Sequence, residues 1–467
     1  MKLSANRLIG TITAILFALS EAQASFLDKP SILTYWGQNS KNGANTQKAL
    51  STYCDDHSDV IIVAFTLNFV DGSLPTLNLA NSCTGPVFSG TELLKCLDVG
   101  KEIKKCQKKG KTILMSLGGA SGAYGFSNNK DAEAFADTLW NIYGGGSSST
   151  RPFGDAVIDG FDLDIEGGGP TGYAAMVKRL RQHFSKDKSK KYYITAAPQC
   201  PFPDAMLGKV INAVEFDAIN VQFYNNYCSA ASSSFNFDTW DNWAKKTSPN
   251  KKVKIMLGIP GSNSAAGSGF VSFNALQRII KNVHSSYSSF GGVSIWDASA
   301  SYGNTNASPN YQGAVASVVH KLKDKSESTT KKSTKKSTKK STKKSTKKST
   351  KKSTKKSTKK TKTSRSSAKS TKKYSSRSQF TLCVKDGQKC SENGQYTCSG
   401  DKFGVCSQNK WVLRSCASGL TCLPASDGVS VYCGVGTSKN TCVSSRELFV
   451  MNIMSGRKLN KRELHNS

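Results

Sequence analysis

Four carboxylates fall within eight residues in Asp159-Gly160-Phe161-Asp162-Leu163-Asp164-Ile165-Glu166. Successive side chains of a β-strand point to opposite faces, so Asp162, Asp164 and Glu166 share one face while Phe161, Leu163 and Ile165 share the other. Crowded carboxylates beside apolar layers raise one another's pKa through repulsion and desolvation, which is how a carboxylic acid keeps its proton near neutral pH. General acid catalysis needs such a group. Calcium binding is the competing use, but calcium loops are irregular and rich in Asp, Asn and Gly, whereas these acids alternate with bulky apolar side chains.

A strand of this kind needs a scaffold. From Ser31 to about Lys323, short β-branched or apolar runs alternate with longer amphipathic stretches. The runs predict strands at Ile32–Trp36, Val60–Phe65, Thr112–Leu117, Val157–Ile165, Tyr192–Ala196, Ala218–Phe223, Val253–Gly258 and Gly292–Trp296. Helices are expected over Glu92–Lys109, Asp131–Tyr143, Tyr173–Phe184 and Phe273–Tyr287, among others. Eight strands alternating with helices over this length predict an α/β fold, a (β/α)8 TIM barrel, whose catalytic groups sit at the C-terminal ends of the strands. A doubly wound sheet would require a glycine-rich dinucleotide turn after the first strand, and Trp36-Gly37-Gln38-Asn39 does not supply one.

The rest of the 467 residues reads as separate units. Lys2 and Arg7, an apolar run from Leu8 to Leu19 and then Ala22-Gln23-Ala24 predict a secretory signal peptide over 1–24; the run is too short to span a bilayer. The catalytic unit is placed at 25–323 and a Lys/Ser/Thr linker at 324–379, where Lys-Lys-Ser-Thr repeats seven times from Lys331 to Thr358. That linker has almost nothing to bury and is expected to stay disordered. Between Ser326 and Ser378 lie 22 Lys and Arg against one acid, so most of the formal charge of +33 belongs to the linker and the charge is no argument for nucleic-acid binding. The linker reads either as a hydroxyl-bearing spacer or as a polycation retained by anionic wall polymers. Eight cysteines between Cys383 and Cys442 mark a small disulfide-stapled module at 380–442, with Tyr396, Phe403, Trp411 and Tyr432 interleaved either as its core or as sugar-stacking platforms. The tail, 443–467, has no assigned role. No paired Cys-x-x-Cys motif is present and the histidines are scattered, so disulfides are expected and no metal or other cofactor is.

Asp159 to Glu166 resembles the DxxDxDxE signature of family 18 glycoside hydrolases, and the surroundings are similar to their class III plant and fungal chitinases. The supporting matches are Tyr35-Trp36-Gly37-Gln38-Asn39, Ser116-Leu117-Gly118-Gly119, Thr195-Ala196-Ala197-Pro198-Gln199-Cys200-Pro201, Val221-Gln222-Phe223-Tyr224-Asn225-Asn226 and Gly291-Gly292-Val293-Ser294-Ile295-Trp296. Each falls at the end of an expected strand. The resemblance implies that Glu166 is the general acid and base, and that Asp164 holds the acetamide N–H of a sugar whose own carbonyl oxygen is the nucleophile. Asp162 is implied to share a proton with Asp164, so that the pair titrates together. Tyr224 is implied to donate to the acetamide oxygen, with Trp296 as the apolar floor and Tyr35, Gln222, Phe65 and Asn225 as further substrate contacts. Asp159 and the Ser116/Gly118/Gly119 turn are expected to be structural.

The same resemblance implies the disulfides Cys54–Cys106, Cys83–Cys96 and Cys200–Cys228. The C-terminal module resembles the chitin-binding modules of carbohydrate-binding family 19 in Asn393-Gly394-Gln395-Tyr396-Thr397-Cys398 and Lys410-Trp411-Val412, which makes Tyr396 and Trp411 its expected chitin contacts. The implied protein is a secreted, wall-associated endochitinase acting on chitin and chitooligosaccharides, with no partner subunit, no transmembrane anchor and no nucleic-acid partner. A chitin-binding lectin or wall protein on an inactive barrel is the alternative, against which stand Glu166, Asp164 and Tyr224.

Overall fold

The structure, a computed structural model, describes residues 25–323 apart from 42, 44 and 70–73, and residues 384–434 apart from 392–395, 401, 408–409, 416–420 and 425–430. The expected signal peptide, linker and tail lie outside the described residues.

Within 25–323 the strands are β1 (Ser31–Trp36), β2 (Val60–Leu67), β3 (Thr76–Leu77), β4 (Thr112–Gly119), β5 (Gly160–Ile165), β6 (Tyr193–Ala196), β7 (Ala218–Gln222), β8 (Lys254–Pro260) and β9 (Phe290–Trp296). All but β3 are parallel and bond in the order β1-β2-β4-β5-β6-β7-β8-β9. Ile32 then lies opposite Val293, so β9 returns to β1 and the eight-stranded cylinder closes. The two-residue β3 adds antiparallel to the end of β2. Every residue of β2, Val-Ile-Ile-Val-Ala-Phe-Thr-Leu, is buried, because one face meets the helices and the other the barrel interior. Alternation divides these apolar layers. Leu33, Val60, Ile62, Leu114 and Met256 fill the interior, while Ile32, Ile61, Val63, Ile113 and Met115 pack in the shell beneath the helices.

The helices are α1 (Leu97–Lys108), α2 (Asn129–Ile142), α3 (Tyr173–Lys186), α4 (Gly208–Ala213), α5 (Phe237–Lys246), α6 (Phe273–Ser286), α7 (Ala298–Tyr302) and α8 (Tyr311–Val319). They present an apolar stripe inward; in α6 it is Leu276, Ile280 and Val283, at helical spacing. Helix α1 begins five residues later than the expected Glu92. Lys95 N–H bonds the Pro86 carbonyl and Val87 bridges Leu94, so the preceding residues fold back into a hairpin beside the Cys83–Cys96 disulfide. Strand β5 begins at Gly160 rather than Val157. Asp159 turns its carboxylate back onto Ile113 N–H at 2.7 Å, and Gly160 has φ +145° with its α-carbon packed so closely that a β-carbon would lie 1.9 Å from the Tyr193 carbonyl oxygen.

Three disulfides lie in the barrel unit: Cys54–Cys106, Cys83–Cys96 and Cys200–Cys228. The C-terminal unit forms an antiparallel sheet of β10 (Tyr396–Ser399), β11 (Lys402–Ser407) and β12 (Lys410–Ser415), with a second pair, β13 (Thr421–Pro424) and β14 (Val431–Gly434). Cys390–Cys406 and Cys398–Cys422 staple it. Here one expectation is corrected. Trp411 is only 3% exposed and packs with Val384, Cys406 and Leu413, so its indole is core of the small unit and not a face open to a sugar. Tyr396 begins β10, and its side chain lies outside what is described.

Candidate active site

Asp162 sits in the middle of β5 with no exposed surface, flanked in register by Ser116 of β4 and Thr195 of β6. Four donors meet its two oxygens. Ser116 Oγ at 2.7 Å and Tyr35 OH at 3.0 Å donate to Oδ2, while Thr195 Oγ1 at 2.5 Å and Asn220 Nδ2 at 3.1 Å donate to Oδ1. Burial pushes the Asp162 carboxyl up and the donors pull the other way. Ser116, expected in a structural turn, instead points into the barrel as one of these donors. No hydrogen bond joins Asp162 to Asp164 in this conformation.

Two residues on, Asp164 is also buried, with Oδ1 accepting Gln222 Nε2 at 2.9 Å. Its carboxyl is held well above the usual range, first by burial, then by the charges of Glu166, Asp162 and Asp204. Glu166 follows the last residue of β5 and is half-buried. Gln199, in the segment after β6, reaches Glu166 Oε2 with its amide at 3.3 Å, and its own N–H is held by Asp204 Oδ2 at 3.0 Å. The Glu166 backbone N–H is bound by Tyr124 OH at 3.1 Å.

Asp164 forms one wall of a cavity at the C-terminal end of the strands, together with Tyr35, Gln222, Tyr224, Ser294 and Trp296. Trp296 is partly exposed; its ring stacks on Phe65 at 5.6 Å and 24°, and stands 5.6 Å from the Tyr35 ring at 59°. Phe65 thus reaches the site through Trp296. Asn225 is not brought to this cavity: with φ +59° it shapes a turn, and its Oδ1 accepts Ser268 N–H at 3.0 Å. Asp159 lies at the opposite end of β5, accepting Ile113 N–H and Gln107 Nε2 and pairing with Lys190 at 2.5 Å. Thus Asp162, Asp164, Glu166, Tyr35, Gln222, Tyr224 and Trp296 come together.

Asn220, Gln199, Tyr124, Asp204 and Ser294 were not singled out from the sequence. Asn220 and Ser294 carry a readable signal, since they lie two residues before Gln222 and Trp296 on the same inward face. Gln199, Tyr124 and Asp204 lie in loops, where no periodicity marks them. Chemically, the arrangement places a buried carboxyl with a raised pKa between a fully hydrogen-bonded acid below and a more exposed acid above, beside an aromatic wall. Among the described residues no group of three His, Cys, Asp or Glu could hold a metal ion, and no helix is long and apolar enough to cross a membrane.

The model of glycosyl hydrolases family 18 matches residues 31–388, and that of the family 19 carbohydrate-binding domain matches residues 360–427. Chitinase 2 of Rhizopus oligosporus is 50% identical over 432 residues, which are 92% of this chain and 74% of that protein. The endochitinase of Saccharomyces cerevisiae is 48% identical over 278 residues, 58% of this chain and 47% of that one. Among solved structures, the ICChI chitinase from Ipomoea carnea is 30% identical with a TM-score of 0.53, covering 62% of this chain and all of that one.

Proposed function

The chain belongs to family 18 of the glycosyl hydrolases and carries a family 19 carbohydrate-binding domain, and from that membership we propose how it works as a chitinase. Its substrate is the β-1,4-linked N-acetylglucosamine chain, cut internally with retention of configuration. Glu166 protonates the glycosidic oxygen and then takes a proton from the incoming water. The attacking atom is the substrate's own acetamide oxygen, which gives a cyclic oxazolinium intermediate. Asp164 binds the acetamide N–H and stabilises the positive charge that develops there, Tyr224 donates to the acetamide oxygen, and the Trp296 indole underlies the distorted ring. Asp162, held in place by its four donors, supports Asp164, whose pKa its charge raises. Cellulose and other glucans lack the acetamide and are left intact.

The supporting observation is the position of Asp164: buried, raised well above the ordinary carboxyl range, and lining one cavity with Tyr224 and Trp296. The leader with Lys2, Arg7 and the Leu8–Leu19 run supports export. The module at 380–442 supports anchoring on chitin, in the setting of wall remodelling or cell separation, with the basic linker adding electrostatic retention.

Glu166→Gln tests this reading. Release of oligosaccharides from chitin should fall by about 10²–10⁴-fold while binding to chitin beads survives. Hydrolysis by the variant at the wild-type rate removes Glu166 from its role.

A further inference from the structure

Glu166 lies one residue beyond β5 and Gln199 three beyond β6, yet the two continue the same ladder. Leu163 and Ala196 are the last pair in register, and Ala197 N–H still bonds the Leu163 carbonyl at 2.8 Å. Counting on by three along each strand sets Glu166 beside Gln199. On its other side Gln199 bridges Gln222 of β7, whose N–H bonds the Pro198 carbonyl at 2.9 Å. Two neighbouring glutamine amides thus each hold one acid, Gln222 on Asp164 Oδ1 at 2.9 Å and Gln199 on Glu166 Oε2 at 3.3 Å.

Past the end of the sheet this segment takes a different anchor, Asp204, which is only 8% exposed. Asp204 Oδ2 accepts Gln199 N–H at 3.0 Å, while Oδ1 accepts Met206 N–H at 3.0 Å and Leu207 N–H at 2.6 Å. The carboxylate therefore ties Gln199 to the turn that enters α4. Between them, Cys200 is fixed by its bridge to Cys228 and by the Trp240 indole N–H, which donates to its carbonyl at 3.2 Å. Asp204 is placed at an electrostatic cost, since its charge is among those that push the buried Asp164 carboxyl up. A carboxylate kept so close to two other acids calls for a role that offsets this repulsion.

We propose that Asp204 is a positioning residue for proton transfer to the glycosidic oxygen: it lies outside the walls of the cavity and acts by holding Gln199, whose amide in turn grips Glu166 through Oε2. An amide N–H needs a lone pair on the oxygen it meets, so the contact directs the acid's proton to Oε1. The inference rests on Glu166 being the proton donor and adds what aims it. Tyr124 holds its main chain, and the Asp204–Gln199 relay holds its side chain.

The test uses the full-length protein and two soluble substrates. One is a chitooligosaccharide, whose sugar leaving group needs the proton; the other is dinitrophenyl chitobioside, whose phenolate departs without it. The quantity compared is kcat/KM, which reports the first bond-breaking step. Gln199→Leu and Asp204→Asn should each lose about tenfold on the oligosaccharide and less than about twofold on the aryl glycoside. Because Asp204 acts through Gln199, the double variant should lose no more than about twofold beyond the larger single loss. Equal losses on both substrates, wild-type kcat/KM of either single variant on the oligosaccharide, or single losses that multiply in the double variant would each overturn the proposal. Glu166→Gln separates this inference from the reading beneath it. An equal loss on both substrates by that variant, or no loss, removes Glu166 as the proton donor, and the relay falls with it. A far larger loss on the oligosaccharide, with the Gln199 and Asp204 variants unaffected, removes the relay alone. Should Asp204→Asn fail to fold, Asp204→Glu, which keeps the charge but displaces the acceptor, serves instead, with a loss of about threefold on the oligosaccharide expected and no loss overturning the proposal.

Discussion

The Tyr124 hydroxyl binds the backbone N–H of Glu166 at 3.1 Å while donating to the Gly119 carbonyl oxygen. Gly119 and Ile165 are the last residues in register between β4 and β5, so this side chain supplies the next rung of the ladder beyond the end of the sheet. The ring is held by Phe69, stacked at 5.4 Å and 20°. The main chain of the proposed acid is thus fixed by a loop that follows a different strand. Burial and the Glu166 charge push the Tyr124 phenol well above its usual pKa, so it stays a neutral hydrogen-bonding group.

Tyr124→Phe keeps the ring and removes the rung. The Glu166 N–H is left without its phenol partner, a defect of about 1–3 kcal/mol. Because a small displacement of a catalytic group is costly, kcat on a soluble oligosaccharide should fall about tenfold with KM nearly unchanged. Steady-state kinetics decide the matter, and a folded variant with wild-type kcat would show that the rung does not position the acid.

The Cys200–Cys228 bridge ties the segment after β6, which carries Gln199, to the segment after β7, which carries Tyr224. Its sequence separation of 28 corresponds to about 3–4 kcal/mol of loop-closure entropy removed from the unfolded chain. Replacing both cysteines by Ala should lower the unfolding free energy in urea by roughly that amount, and a change below about 1 kcal/mol would mean that the unfolded chain keeps this loop nearly closed without the bridge.

The barrel was legible in the sequence because both faces of its strands are buried, which produces unbroken apolar runs such as Val60–Phe65. The carboxylate strand was legible for the opposite reason, since acids at period two cannot be apolar core. Three things were not. The start of β5 depends on a contact between Gly160 and Tyr193, distant in sequence, that no local pattern encodes. The donors to Asp162 come one each from β1, β4, β6 and β7, a convergence visible only after the cylinder closes. Trp411 could be core or platform, and composition does not separate the two in a unit with so little interior.

That burial gives Trp411 a testable signature. In a stacking platform, the indole face supplies the binding energy, so Trp411→Phe weakens chitin binding. In a core position, Phe keeps most of the packing against Val384 and Leu413. Binding of the full-length variant to chitin should stay within about twofold of wild type, whereas Trp411→Ala, which opens a cavity at a cost of about 3–5 kcal/mol, should unfold the unit and abolish its contribution. A tenfold loss in a folded Trp411→Phe protein would put the indole back on the binding face.

Asp297, which follows Trp296 directly, is 1% exposed, and its carboxylate accepts Ser299 Oγ at 2.7 Å, Ala300 N–H at 3.0 Å and Ser40 N–H at 3.4 Å. Burial outweighs these donors and raises its pKa from 3.8 to about 6. The sign of the pH effect follows from which state holds the proton. Below pH 3.8 both native and unfolded chains hold it. Between 3.8 and about 6 the native state keeps a proton that the unfolded chain has released, so raising the pH favours unfolding. Above about 6 both are ionised and the native state carries the full cost of a buried charge, about 3 kcal/mol for this shift. Asp297→Asn cannot titrate, and its amide oxygen can still accept from Ser299 and Ala300. Urea denaturation of both proteins at pH 3.5 and pH 7 should therefore show the variant gaining about 3 kcal/mol relative to wild type as the pH rises, whatever the substitution itself costs. A difference between the two proteins that is flat across this range would mean that Asp297 is ionised at little cost, and that its donors, not its burial, set its charge.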